Sequence, residues 1–350
     1  MPEAVSLFAK AQRCLSERRI AEALSHFDQA AAAGFDINEC AAGRWTCWML
    51  SGSFERAWEE STLIEQNSNH DPHRFWNGQS WAGKRVMIRC LHGLGDTIQF
   101  IRYAPLIRSV SRELTVQVHP QLVTLIEGVP AIDRVITWDG GCDQDDRDYW
   151  DIQMEVTELP RAFKARVDSV PADVPYIFIP KERINWSRSL LEDRSGLHIG
   201  LVWEAGAWNP GRSLPFESLE PLLGKSEHTF YNLQKDSDLC TRTSNWPLRE
   251  LEAHARDIRD TAALMLQLDL VITVDTMSAH LAGALGRPVW ILLPYEADWR
   301  WMLNRSDTPW YPTARLFRQE RPGDWGSALR KLLNAITTPT ILPSSSVPHK

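Results

Sequence analysis

Three stretches of the 350-residue chain combine residue types that can do chemistry. The first is LHGLGDTIQF, residues 91–100. Gly93 and Gly95 permit backbone that a Cβ would obstruct. Asp96 stands just past an apolar strand, at the start of an amphipathic run. A carboxylate there has two readings. It can cap the helix by accepting its first amides, or it can take a proton from an acceptor hydroxyl. In the second case the activated oxygen attacks the anomeric carbon of a donor sugar. The second stretch is VDTMSAHLAGALGRP, residues 274–288. A buried strand ends at Val274. Asp275, Thr276, Met277 and Ser278 form the turn, a helix starts near Ser278, and His280 lies in its first turn. Helix N-terminal amides with nearby hydroxyls attract phosphate; the alternative is a hydrogen-bonded turn with a packing histidine.

The third stretch, GLVWEAGAWNPGRSLP at 200–215, carries Arg212 in a loop after another strand. A guanidinium there can clamp a diphosphate through its forked donors, or pair with a neighbouring acid. In YNLQKDSD, 231–238, a further strand ends in Gln234 and Lys235, which can reach a base or a ribose. No Walker-type lysine and no GxGxxG occur, which disfavours ordinary nucleoside-triphosphate and dinucleotide sites. Several strand ends thus offer polar donors to one crevice.

The elements that must position these groups are legible as apolar runs. RVMIRC (85–90), LTVQV (114–118), RVIT (134–137) and WDIQME (150–155) read as strands, with helices over 97–110 and 121–128. A second series follows: LHIGLVW (197–203), TFYNL (229–233), LVITV (270–274) and PVWILL (288–293). Its helices fall near 216–223, 261–268, 278–285 and 324–336. Strands alternating with helices imply parallel sheets covered on both faces. Residues 165–195, with three prolines and many charges, read as a boundary. The segment 140–148 reads as an acidic loop, and the Pro/Ser/Thr-rich end as a frayed tail.

The first 68 residues read as helices and repeat with a period of 34: Leu15 maps on Met49, Ile20 on Phe54, Ala23 on Ala57, Leu24 on Trp58, and Ala30 on Ile64. That period is the one of tetratricopeptide helix pairs. Gly52 falls in the expected turn, with Arg18 at its equivalent. Such a module either packs on its neighbour or grips a partner protein.

Composition bounds the rest. Apolar residues make up 43% and the formal charge is −7, so a core is available and a basic nucleic-acid surface is not. The six cysteines, at 14, 40, 47, 90, 142 and 240, form no CxxC pair and read as buried thiols. No basic start followed by an apolar segment and no run of 18 apolar residues occurs, so a cytoplasmic location without a transmembrane segment is expected. Some of the 16 tryptophans could line a ligand groove.

GLGDTIQFIRYAPL (93–106), RSLP (212–215), DTAALMLQLDLVITVDTMSAHLAGALGRPVWILLP (260–294) and DWRWMLNRSDTPWYPTARLFRQERPGDW (298–325) resemble family-9 glycosyltransferases. The resemblance is to the branch in which a tetratricopeptide module precedes a heptosyltransferase-like part, and it covers roughly residues 70–338. It implies an α/β chain of GT-B type: two Rossmann-like domains facing a cleft, preceded by a short α-helical tetratricopeptide-like module. The expected boundaries are 1–68 for the helical module, 69–180 for the acceptor domain, 181–338 for the donor domain and 339–350 for a flexible tail. The resemblance implies inverting, metal-independent transfer from an ADP- or UDP-linked sugar to a glycan or protein hydroxyl, with no cofactor. Asp96 inherits the role of base. Arg212 stabilises the leaving diphosphate. Asp275, Thr276, Met277, Ser278 and His280 hold the phosphates, with Gly95, Trp203, Gln234 and Lys235 as further donor contacts. Departures from the pattern are Leu91-His92 before GLGD, Met277-Ser278 after DT, and Glu204 near the expected phosphates. The rival reading is a non-catalytic scaffold whose helical repeats bind a protein partner. Epimerisation of a nucleotide sugar would need acids that the chain does not obviously place.

Overall fold

The computed structural model describes residues 2–68, 71, 74–76, 78–138, 149–191, 196–206, 209–225, 227–235 and 246–337. The acidic segment 140–148, Cys142, Cys240, residues 236–238 and the expected tail 339–350 lie outside them. The chain divides into two compact units. One is helical: Met1–Gln79 with Gln153–Val170 and Glu296–Arg305. The other is α/β: Ser80–Ile152, Pro171–Tyr295 and Ser306–Lys350.

The helical unit opens with α1 (Pro2–Ser16), α2 (Ile20–Ala32), α3 (Ile37–Leu50) and α4 (Phe54–Gln66). Ala11, Cys14, Ala23, Phe27 and Cys47 form one buried cluster in it, and small residues let the helices approach closely. A methyl on Gly43 would lie 2.3 Å from the Phe27 ring. α2 and α4 begin 34 residues apart, and the turns before them place Arg18 (φ 60°) and Gly52 (φ 78°) in the left-handed region. Asp36 caps α3 through the Glu39 amide at 2.9 Å. Arg44 grips Glu60 through two 2.7 Å bonds. Trp58 donates its indole N–H to the Ala165 carbonyl at 2.9 Å, and the Leu303 amide bonds to the Leu50 carbonyl at 2.8 Å.

The α/β unit contains two parallel sheets. In the first, β1 (Arg85–Arg89), β2 (Glu113–Val118) and β3 (Arg134–Thr137) run in the order β3-β2-β1. β4 (Ile152–Glu155) begins where the chain passes to the helical unit. The second sheet has six strands: β5 (His198–Val202), β6 (Thr229–Asn232), β7 (Leu248–Glu250), β8 (Leu270–Val274), β9 (Val289–Leu293) and β10 (Ala314–Arg318). Their order is β10-β9-β8-β5-β6-β7, all parallel. β8 and β9 are buried along their whole length, which is why they read as unbroken apolar runs. The order reverses between β5 and β8, the doubly wound arrangement that leaves a crevice beyond the carboxyl ends of those two strands.

Several local expectations are corrected. The helix expected over 97–110 begins earlier, at Leu94, and is broken: α5 (Leu94–Phe100), a 3-10 turn (Ile101–Tyr103) and a short helix (Ala104–Arg108). Pro105 has no amide to give and disfavours a continuous ladder there. The strand read over 150–155 starts only at Ile152. The helix near 121–128 is a 3-10 turn and a single α-turn, Pro120–Leu122 and Val123–Ile126. The charged boundary 165–195 contains a helix, Lys181–Arg188, and β7 and β10 were not anticipated. Among the described residues no helix is long and apolar enough to cross a membrane.

Candidate active site

Two loops meet at the β5/β8 switch point. After β5 the chain runs through Trp203 to Arg212 and returns. The Leu214 amide bonds to the Trp203 carbonyl at 2.8 Å, and the Ala205 amide to Ser213 Oγ at 3.0 Å. Arg212, in the 3-10 turn Pro210–Arg212, is thereby brought to Asp275, which follows β8. Their Nη1 and Oδ2 atoms are 3.5 Å apart, with both side chains largely buried. Asp275 cannot itself bind phosphate, because like charges repel. Its carboxylate instead holds the guanidinium at the strand ends.

The helix after β8 runs Met277–Ala284 and starts one residue before the expected Ser278. Thr276 is its N-cap, with Oγ1 accepting from the Ser278 amide at 3.2 Å. The Ser278 backbone amide is engaged by that cap, and the residue lies in the first turn of the helix. Met277 is half-buried and Ser278 buried. His280 is 5% exposed, and its Nδ1 lies 2.9 Å from Tyr311 Oη.

From the first sheet comes α5, which leaves the carboxyl end of β1. Its N-cap is Gly93. Asp96 is the third helical residue, so it is not the N-cap. The carboxylate reaches back to accept the Gly93 amide at 3.0 Å, the acid's half of a capping box. Asp96 is half-buried. The first turns of α5 and of the Met277–Ala284 helix lie against each other. A methyl on Gly95 would sit 2.8 Å from His280 Cδ2 and 3.6 Å from the Met277 Cα. Only glycine allows this approach, so Gly95 is a spacer that brings Asp96's turn to the 275–280 turn.

Two expected donor contacts are placed elsewhere. Trp203 is 1% exposed and packs on Phe216 with ring centroids 4.9 Å apart. With Ile199 and Leu201 it forms part of the core, because alternate residues of a strand share a face. Its side chain is not available to a ligand. Gln234 Oε1 accepts the Trp203 and Glu204 amides at 3.3 and 3.0 Å, tying the end of β6 to that of β5. Lys235 is exposed at the end of a described segment, and Glu204 is exposed as well. Beside Glu204 lies a shallow cavity of about 360 Å³ that Ser213 and Glu217 also line.

No sequence motif singles out Arg102, Tyr176 or Tyr311. Arg102 is 4% exposed. It donates to the carbonyls of Gln99 at 2.8 Å and Pro171 at 3.0 Å, to that of Trp310, and to Tyr176 Oη at 3.0 Å. Its guanidinium lies 4.7 Å from the centroids of both the Tyr176 and the Tyr311 rings. An arginine interrupting an apolar run was the available signal.

Two Rossmann-like sheets with facing helix N-termini define a fold of GT-B type, and solved structures share it. A glycosyl transferase family 9 structure from Veillonella parvula superposes with a TM-score of 0.51 at 15% identity, covering 77% of this chain and 93% of that one. The Escherichia coli ADP-heptose lipopolysaccharide heptosyltransferase II superposes with a TM-score of 0.50 at 13% identity, covering 72% and 98%. At these identities the likeness establishes the fold. In sequence, the chain is 27% identical to protein FlbA of Caulobacter vibrioides over 331 residues, 84% of this chain and 54% of the relative. The chain therefore spans about half the length of the curated relative it matches. No family model matches the sequence.

Proposed function

We propose that the protein is an inverting, metal-independent glycosyltransferase that moves a sugar from a nucleotide-diphosphate donor to a hydroxyl of a glycan or protein acceptor. The observation that carries this reading is the contact at Gly95, which brings a carboxylate-bearing turn to the turn that follows β8. The neighbours named above are a family-9 glycosyltransferase and a heptosyltransferase using ADP-heptose, which favours an ADP- or UDP-linked donor here. On this reading the donor diphosphate lies between Arg212 and the first turn of the Met277–Ala284 helix. Thr276, Met277, Ser278 and His280 line it, and Asp275 keeps Arg212 in place. Negative charge grows on the leaving diphosphate as the glycosidic bond breaks, so fixed donors there lower the barrier. Asp96 takes the acceptor's proton. Lys235 and the groups around Glu204 and Glu217 serve the nucleoside. The helical start, 1–68, is a tetratricopeptide-like module that leads into an acceptor half (69–180) and a donor half (181–338).

Replacement of Asp96 tests the assignment cleanly. Asp96→Asn keeps an oxygen for the Gly93 amide, so the fold should survive while proton abstraction is lost. Undiminished transfer by a folded Asp96→Asn protein would remove the base. A second reading, a scaffold, draws on the helical unit alone. There a cavity of about 310 Å³ is lined by Trp45, Trp58, Phe75 and the Arg161–Glu65 ion pair. A thermal-shift screen against ADP- and UDP-linked sugars separates the two, since a ligand bound only by the native state raises its melting point. No shift with any of them favours the scaffold.

A further inference from the structure

His280 touches Gly95 with one edge and Tyr311 with the other. The Cδ2–Nε2 edge is turned to the first turn of α5, where a methyl on Gly95 would meet Cδ2 at 2.8 Å and Nε2 at 3.5 Å. The Nδ1 edge faces Tyr311 Oη at 2.9 Å. Tyr311 is fully buried, and its ring is pressed by the same helix that carries His280: a methyl on Gly283 would overlap it at 2.4 Å. The phenol therefore has one well-fixed position. The Arg102 guanidinium lies 4.7 Å from the ring centroid. A cation at an aromatic ring draws electron density from it, which makes the phenol a better donor and a poorer acceptor.

We propose that Tyr311 donates its hydroxyl hydrogen to His280 Nδ1 and so holds the imidazole as the Nε2–H tautomer, and that Arg102 is the positioning residue that fixes Tyr311 for this. The neutral imidazole has one N–H. When Nδ1 accepts, the proton is on Nε2, on the side where α5 and the Met277–Ala284 helix meet. Arg102 acts at one remove. It bonds to the Trp310 carbonyl beside Tyr311, and to Gln99, Pro171 and Tyr176, whose own hydroxyl donates to the Ile98 carbonyl at 2.9 Å. The segment carrying Tyr311 is thereby fastened to the turns that follow α5. The consequence for ligands rests on the proposed function: Nε2–H becomes a fixed donor for the donor diphosphate, where the opposite tautomer would present a lone pair and repel it.

The test is ¹⁵N NMR on the full chain labelled at histidine, with the His280 signals assigned by His280→Asn. The protonated and bare ring nitrogens differ widely in shift, so the tautomer is read without any ligand. The wild type should show Nε2 protonated. Tyr311→Phe, which keeps the ring and its packing, should give a mixture of tautomers, and Arg102→Lys should do the same without touching His280. Binding of ADP or UDP to Tyr311→Phe should weaken roughly tenfold while adenosine or uridine binding is unchanged. A wild-type Nδ1–H signature, or an unchanged His280 signature in Tyr311→Phe, overturns the proposal. An unchanged signature in folded Arg102→Lys removes Arg102 from it; should that variant not fold, the Tyr311→Phe result decides. If neither nucleotide binds the wild type but the tautomer results hold, it is the transferase reading that fails.

Discussion

Gly95→Ala should destabilise the protein, although the general rule points the other way. Alanine in a helix is favoured over glycine by roughly 0.5–1 kcal/mol. The added methyl would, however, stand 2.8 Å from His280 Cδ2. Real carbon atoms do not approach that closely, so something must move. The imidazole cannot swing away cheaply, because Tyr311 holds its other edge at 2.9 Å. The remaining route is to push α5 away from the Met277–Ala284 helix. Overpacking of this kind costs about 1–3 kcal/mol. The clash therefore cancels the propensity gain at the least and outweighs it over most of these ranges, so the expected result is a net loss of up to about 2.5 kcal/mol. Gly326 supplies a matched control. It is also the second residue of its helix, Trp325–Ile336, but its methyl would meet only Arg330 Nη1 at 3.4 Å and Asp324 Oδ1 at 3.5 Å. Gly326→Ala should be neutral or stabilising by up to about 1 kcal/mol. Urea unfolding of the two variants beside the wild type gives both numbers. Stabilisation by Gly95→Ala equal to that of Gly326→Ala would mean that the two turns do not meet as described.

Asp260 should make stability fall at acid pH. Burial alone would raise its carboxyl, but bonds from Arg256 and Arg183 outweigh burial and hold it below the usual carboxylate range. A depressed folded value means that the unfolded state binds the proton more tightly. The contribution is complete above about pH 4 and is lost as pH drops further. Urea midpoints of wild type and Asp260→Asn should therefore differ near neutrality and converge toward pH 3; a constant gap contradicts this. Cys47 should resist alkylation in the native state at pH 8, because burial pushes its thiol up to about 12. Site-resolved mass spectrometry should find it modified only after denaturation, and rapid native labelling would place it at the surface.

The sequence made the parallel strands plain because β8 and β9 are buried on both faces and had to be apolar throughout. The helix pairs were legible for a related reason: Ala23 and Ala57 recur where helices crowd together. β10, with Arg315 and Arg318 among its five residues, lacks such a run, and its place in the sheet comes from pairing with β9. The Lys181–Arg188 helix was hidden because charge holds it. Arg183 bonds to Asp257 at 3.1 Å and to buried Asp260, and no apolar stripe announces that. At the site, the strand-end loops carrying Arg212 and Asp275 could be read from their place after apolar runs. Their mutual ion pair could not, since it depends on a long-range meeting of β5 and β8. Trp203 misled because an aromatic residue beside a loop resembles a ligand platform. The alternation Ile199, Leu201, Trp203 already assigned it to the core face. Arg102 and Tyr311 are 209 positions apart in the numbering, and no local pattern links them.

Arg212 and the turn after β8 are proposed to form a diphosphate site. Calorimetry compares ADP with adenosine and UDP with uridine, on the wild type and on Arg212→Ala. One diphosphate should bind the wild type at least about tenfold tighter than its nucleoside, and Arg212→Ala should abolish most of that advantage, as expected for loss of a charge-assisted pair. An equal preference for the diphosphate in Arg212→Ala, or none in the wild type, would contradict it.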